Sequence, residues 1–419
     1  MKEPLENSTA APSEVAPTKP ARTGPPGGVF ADRRLRIIVV AGNIESASFQ
    51  QVVRAFVEPL SRRGIDVACE LLPHHGGQRK ALLEKVGRYD ALWLHRILMP
   101  PWRMSRWRRI ARRIVFSFDD PIMYSTHGWG VARRIKFAWT LRRCDGAIVA
   151  SRYLADLAGR YCPRVWVVPM AIDLPCGTGI LPVSSPFPAV SSVAQPPSAV
   201  SCRYYKKEAK ATTKDTAEGG CATHGQDAHA TVEMLWLGSK STQRFLRELA
   251  PALAEVGRLR PNARLRVVGH EEFAAGPLNV DFRRWSPAEQ ELALGECDIG
   301  LCPMPDTPWT RGKCPYKVLQ YMAAGMAWVG SAVGENLVSA GENRGQTPIS
   351  QTKSVSVPDF PRGLCAASDE QWVQALTRLI DDAALRRSMG ASGLVYVRRI
   401  HEREMLADRL AEILRGVVG

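Results

Sequence analysis

The cysteines of this 419-residue chain show no metal-ligand spacing. The ten include no CxxC pair and are scattered along the chain. Cys69, Cys144, Cys297 and Cys302 fall on predicted strands or helices, where a free thiol behaves as a small apolar group. This excludes a cysteine-based zinc site and a disulfide framework, and it points to a reducing, cytoplasmic setting. Long apolar runs are also missing: none approaches the ~20 residues a membrane span needs. The opening MKEPLENSTAAPSEVAPTKPARTGPPGG is polar and Pro-rich, without the apolar centre of a signal peptide. Residues 1–33 therefore read as a disordered lead. Basic residues are not interleaved with stacking aromatics and no nucleic-acid reading motif is present, so nucleic acid is not the expected partner. The Gly-rich turn that cradles a dinucleotide is absent too. After the first strand the chain reads AGNIES, which argues against a dinucleotide there.

Positive charge, by contrast, is abundant. The formal charge is +15, which suits anionic partners such as nucleotide phosphates or acidic lipid headgroups. Hydrophobic content of 45% is ordinary for globular chains, and the length allows two domains.

The pattern of elements is strand, helix, strand, repeated. LRIIVVA at Leu35–Ala41 is a buried strand. Phe49, Val52, Val53, Phe56, Val57 and Leu60 then recur at helical spacing, closed by Gly64. Strands at Ile65–Leu72, Asp90–Leu94, Ile114–Phe118, Gly146–Val149 and Val165–Val168 complete a doubly wound first half over 34–172. Pro169–Pro175 is a hinge. Residues 173–231 are rich in Ser, Pro, Ala, Gly and Thr and read as a disordered linker insertion; Cys221, His224 and His229 lie in that composition and carry no metal reading. The pattern restarts at EMLWL and continues over 232–400, interrupted by a second polar patch at 342–361. Residues 401–419 form a terminal helix.

Three stretches hold candidate chemistry. Asp298–Gly334 reads as strand, loop, helix and strand, and the loop brings Arg311, Lys313 and Lys317 to a helix N-terminus. Ligands of such sheets bind at strand carboxyl ends, and helix N-termini favour anions, so this stretch suits a phosphorylated ligand. Gly238, Ser239 and Lys240 follow the first strand of the second half and face the same crest. In the first half, Asp119 and Asp120 end a strand and are placed to act as a base or an electrostatic stabiliser, or to cap the next segment. His127 is a further candidate base in a Gly-rich loop. Finally, WRMSRWRRIARR is a basic amphipathic helix. Trp107, Ile110, Ala111 and Ile114 share one face; six arginines, from Arg103 to Arg113, cover the remainder. It suits an anionic membrane surface or acidic acceptor, or simple packing on the sheet.

LWLGSKST, DIGLCPMP, GKCPYKVLQYMAAG, SAVGENLV and ALTRLIDDAALRRSMGASG together resemble the family-four GT-B glycosyltransferases. CDGAIVASRYLADLAGRY with VWVVPMAIDL resembles the end of that family's first domain and its hinge. The resemblance covers most of the chain outside the lead and the two insertions. It implies an α/β GT-B fold: two Rossmann-like doubly wound parallel-sheet domains facing across a cleft, with the last helix returning to the first. It further implies a retaining transfer of a sugar from a nucleoside diphosphate to a glycan or lipid-linked acceptor, with no metal or other cofactor. Arg311, Lys313, Lys317 and Lys240 would then meet the diphosphate, with Gly238, Ser239, Tyr316 and Gln320 beside the nucleotide sugar. Departures from the family are equally specific. Its pair of glutamates, separated by seven residues, falls on Gly312 and Gln320, and Asp119 stands where many members have histidine. A binding protein that has lost transfer is the alternative these departures raise.

Overall fold

The computed structural model describes residues 33–124, 130–172, 231–341 and 361–419. Two six-stranded parallel sheets organise them. The first contains β1 (Leu35–Ala41), β2 (Ile65–Leu71), β3 (Ala91–His95), β4 (Ile114–Phe118), β5 (Gly146–Val149) and β6 (Val165–Val167), in the order β2-β1-β3-β4-β5-β6. The second contains β7 (Val232–Leu237), β8 (Ala263–Gly269), β9 (Asn279–Arg284), β10 (Ile299–Cys302), β11 (Ala327–Ser331) and β12 (Leu364–Ala366), in the order β12-β11-β10-β7-β8-β9. Both orders reverse direction once, between β1 and β3 and between β7 and β10. A crevice opens at such a reversal because the connections leave to opposite sides.

The central strands are continuous apolar runs because helices cover both faces. On one face of the first sheet, Leu82, Leu83, Met104, Trp107, Phe137, Leu141 and Leu154 pack from four helices: Gly76–Val86, Pro101–Ile110, Val131–Arg142 and Arg152–Gly159. The other face meets Phe49, Val53, Phe56 and Leu60, together with Leu406, Leu410, Ile413 and Leu414 of helix Arg403–Val418. This last helix is thus bound to the first sheet, and Arg63 fixes its outer edge through Asp408 (2.6 Å) and Glu404 (2.9 Å).

The second sheet is covered on one side by Leu253, Val256, Trp372, Leu376 and Leu379. On the other side pack Val318, Leu319, Tyr321 and Met322 of helix Tyr316–Ala323, with Val397 of helix Ala383–Ile400 behind them. Those two helices meet closely. A Cβ on Gly390 would lie 1.9 Å from the Gly325 carbonyl oxygen, so only glycine permits the contact.

One element is shorter than its sequence suggests. The arginine-rich helix ends at Ile110, and Ile114 begins β4 paired with Leu92. Chain must be spent between them to re-enter the sheet, so Arg112 and Arg113 leave the helix and Ile114 joins the core rather than the helical face. The lead, the linker insertion over 173–230, most of the second patch and His127 lie outside the described residues.

Candidate active site

A cavity of about 860 Å³ lies between the two sheets, lined from both. Its walls are the loops at the strand carboxyl ends beside both reversals.

On the second-sheet side, β7 and β10 pair only as far as Gly300 and Leu235. Beyond that point the Tyr321 hydroxyl stands in for the ladder: it donates to the Leu301 carbonyl (3.1 Å) and accepts from the Leu237 amide (3.3 Å). The strands splay, and Gly238, Ser239 and Thr242 reach the cavity from one side and Cys302, Pro303 and Met304 from the other. Helix Lys240–Glu248 begins here after Ser239, and helix Tyr316–Ala323 after Pro315; neither N-terminus has a side-chain cap. Their first amides are therefore available to an anion.

Lys317 lies in the first turn of the second of these helices. Its Nζ stands 4.5 Å over the Trp236 ring and donates to Thr242 Oγ1 at 3.4 Å. Burial pulls this ammonium down to about 8, and nearby Lys313 adds to the fall. An ammonium has three donors, so the group retains hydrogen-bonding capacity toward the cavity it lines. Lys313 stands 4.7 Å over the Trp309 ring and 3.7 Å from Asp120 Oδ1. Tyr316 and Gln320 complete this wall; His270, Trp285 and Gln290 form the far end.

On the first-sheet side, β4 delivers Asp119 and Asp120, and β3 delivers His95 and Arg96. Arg96 has a left-handed backbone, φ 55°, uncommon for a residue with a Cβ. Its guanidinium binds Asp119 Oδ1 (3.0 Å) and Asp120 Oδ2 (3.3 Å). Ser48 donates to the same Asp119 oxygen at 2.7 Å and lies 3.1 Å from His95 Nε2. Burial, aided by the Arg96 charge, pulls the His95 imidazole down to about 3, so it is neutral near pH 7.

Of the residues singled out from sequence, Asp119, Asp120, Gly238, Ser239, Lys313, Tyr316, Lys317 and Gln320 meet around this one cavity. Lys240 and Arg311 are not on its wall. Lys240 is exposed and paired with Glu271 (3.2 Å), and Arg311 is turned onto Asp306 (2.6 Å). Gly312 has a definite structural reason: a Cβ there would lie 2.6 Å from the Tyr153 ring and 2.7 Å from Pro121. Both neighbours belong to the first-sheet half, and Tyr153 also donates to the Pro308 carbonyl at 3.3 Å. The space of a side chain is filled from across the cleft. Ser48, His95, Arg96 and Trp285 were missed by sequence reasoning. For His95 and Arg96 the available signal was position, since both stand at the carboxyl end of a buried strand.

No cluster of potential metal ligands occurs among the described residues. No protein-family model matches the chain, and no curated protein does. Solved structures do. The chain is similar to sucrose-phosphate synthase from Thermosynechococcus elongatus, with 13% identity over 91% of this chain and 99% of that one, at a TM-score of 0.56. It is similar to HepE from Anabaena in complex with UDP-glucose, with 11% identity over 91% of this chain and 100% of that one, at a TM-score of 0.59. It is also similar to WaaG, a glycosyltransferase involved in lipopolysaccharide biosynthesis, with 13% identity over 90% and 99% of the two chains, at a TM-score of 0.54. At these identities the likeness speaks for architecture, and with two doubly wound parallel sheets closing one cavity it shows that this chain has the GT-B fold.

Proposed function

We propose that the protein is a retaining glycosyltransferase that moves a sugar from a nucleoside diphosphate to an acceptor hydroxyl of a glycan or lipid-linked intermediate. The observation that carries this reading is the convergence of two uncapped helix N-termini and half-buried Lys317 on one side of the cavity, opposite Asp119. Diphosphate charge grows as the glycosidic bond breaks. Fixed donors aimed at that charge lower the barrier because they need no reorganisation. Lys317 and Lys313 supply charge, and the amides after Ser239 and Pro315 supply dipoles. Gln320 and Tyr316 flank the nucleotide sugar. Trp285 and His270, at the far end, supply flat surfaces for a base. Asp119 accepts the proton of the incoming hydroxyl or stabilises positive charge building on the sugar ring, and Asp120 holds Lys313. The UDP-glucose bound to HepE makes that donor the first to try. Lys317→Ala should abolish nucleoside diphosphate release while thermal unfolding stays cooperative; unchanged turnover would remove Lys317 from this role.

The acceptor side favours a peripheral contact with an anionic bilayer, at the inner face of the membrane. No helix among the described residues is long and apolar enough to cross a membrane. Helices of a parallel sheet start at strand carboxyl ends, so the first turns of Pro101–Ile110 and Val131–Arg142 lie toward the cavity rim. Those turns expose Trp102 (74%) and Val131 (67%), and Ile135 (55%) follows in the second turn of its helix. From Arg96 to Arg143 the sequence holds twelve Lys and Arg against two acids, both in the cavity wall. Arg103, Arg106, Arg109 and Arg133 have no carboxylate partner among the described residues. Apolar anchors among unpaired arginines suit a headgroup layer. Sedimentation with phosphatidylglycerol vesicles, but not with phosphatidylcholine vesicles, is expected. Trp102→Ala with Ile135→Ala should weaken it. Equal binding to a soluble polyanion and none to vesicles would overturn it.

A further inference from the structure

The hydrogen bonds behind Asp119 run in one direction. The Trp93 indole can only donate, and it donates to Ser117 Oγ at 2.6 Å. The Ser117 oxygen lies 2.9 Å from His95 Nδ1, and a neutral imidazole whose one hydrogen is used at Nε2 must accept the Ser117 proton there. At the other end, an ionised Asp119 can only accept, and Ser48 donates to its Oδ1 at 2.7 Å. The Ser48 oxygen therefore accepts from His95 Nε2, at 3.1 Å. Every proton points the same way, from Trp93 through Ser117, His95 and Ser48 to Asp119. The imidazole is fixed as the neutral tautomer with hydrogen on Nε2. Phe49 holds the ring edge-on with centroids 6.0 Å apart.

We infer that Ser48 and His95 are positioning residues for Asp119. They and Arg96 spend its Oδ1 and so leave Oδ2 for the reacting hydroxyl. Among the described residues no donor reaches Oδ2. His95 and Arg96 come from the end of β3 and Ser117 from β4 itself, while Ser48 comes from the short helix Ala47–Phe49 that follows β1, so the carboxylate is held from two neighbouring strands and a helix. Free rotation of Asp119 would trade its two oxygens and misplace the acceptor, and small misplacements at a reacting centre are costly. The inference rests on the transferase reading for the role of Asp119. The proton direction itself does not.

The test has two arms. In the intact protein labelled with ¹⁵N-histidine, His95 should show a bare Nδ1 and a protonated Nε2 throughout about pH 5 to about pH 8, where burial keeps it neutral. A protonated Nδ1 would overturn the inference whether or not the protein transfers sugar. In turnover, Ser48→Ala should lower kcat by roughly 10-fold to 100-fold, the size of one hydrogen bond to a charged group, with KM for the donor unchanged. Ser48→Thr, which keeps the hydroxyl, should restore most of it. Adding His95→Phe to Ser48→Ala should cost little more than Ser48→Ala alone, because the link is already cut. Independent, multiplying losses, or Ser48→Ala at full kcat, would overturn it. If the wild type turns over no nucleotide sugar while the tautomer is as stated, the transferase reading fails and the network stands.

Discussion

Gly312 and Gln320 hold the positions where the resembled family carries glutamates, and the structure treats them differently. Gln320 lines the cavity and keeps an amide there. Gly312 is packed under Tyr153 and Pro121, with no room for a Cβ. Restoring the family residue by Gly312→Glu should destabilise the protein by about 1–3 kcal/mol, the usual cost of overpacking, without raising turnover. Urea unfolding measures the first quantity, and adding Tyr153→Ala should recover part of it. Gly312→Glu at wild-type stability would mean that the contact is not tight. The sequence identified the odd residue but not its cause, because its neighbours are roughly 160 to 190 positions away in the chain. Lys240 and Arg311 illustrate the converse. Their place beside the loop was legible; the carboxylates of Glu271 and Asp306 that hold them off the cavity wall were not.

Among the elements, strands were the most legible, since buried parallel strands are unbroken apolar runs. β1 stands where the sequence puts it, and β11 closes the strand, loop, helix and strand unit expected over Asp298–Gly334. Helix ends were less so, as the arginine-rich helix shows. Helix Glu335–Ala340 carries a feature no pattern would reveal. Glu335, at its first position, is half-buried against Ser151, whose hydroxyl caps helix Arg152–Gly159 in the first-sheet half. Burial pushes this carboxyl up to about 7, from an ordinary 4.5. Between those values the folded protein holds a proton that the unfolded chain has released. Its contribution is therefore most favourable below about 4.5 and is lost as pH rises through about 7. Glu335→Gln should remove this dependence. Relative to wild type, the variant should gain stability toward alkaline pH, by on the order of 3 kcal/mol across the window. Urea titrations at several pH values check it, and a pH-independent difference would refute it.

At the scale of the molecule, the chain crosses between its two halves at paired points. Ile172 leaves the first half, and its amide donates to the His401 carbonyl at 3.1 Å; His401 Nδ1 donates in turn to the Met170 carbonyl at 2.8 Å. Burial pulls this imidazole down to about 4, so it remains neutral in that contact near pH 7. The two crossings are thus tied together beneath the cavity, and the terminal helix then binds the first sheet. Such a joint suits halves that close on a ligand about one fixed point. The central claim is that the second-sheet side of the cavity binds a nucleoside diphosphate sugar through Lys317. Its most direct measurement is the thermal shift of wild type and Lys317→Met across nucleoside diphosphates and their sugars, UDP-glucose first. One class of nucleotide should raise the wild-type midpoint, by about 2.7 kcal/mol of stabilisation at a hundredfold excess over Kd. The variant should lose most of that shift, and the wild-type shift should shrink as pH rises through about 8, where Lys317 gives up its charge. A wild type that responds to no nucleotide, or a variant that responds as well as wild type, would contradict the account.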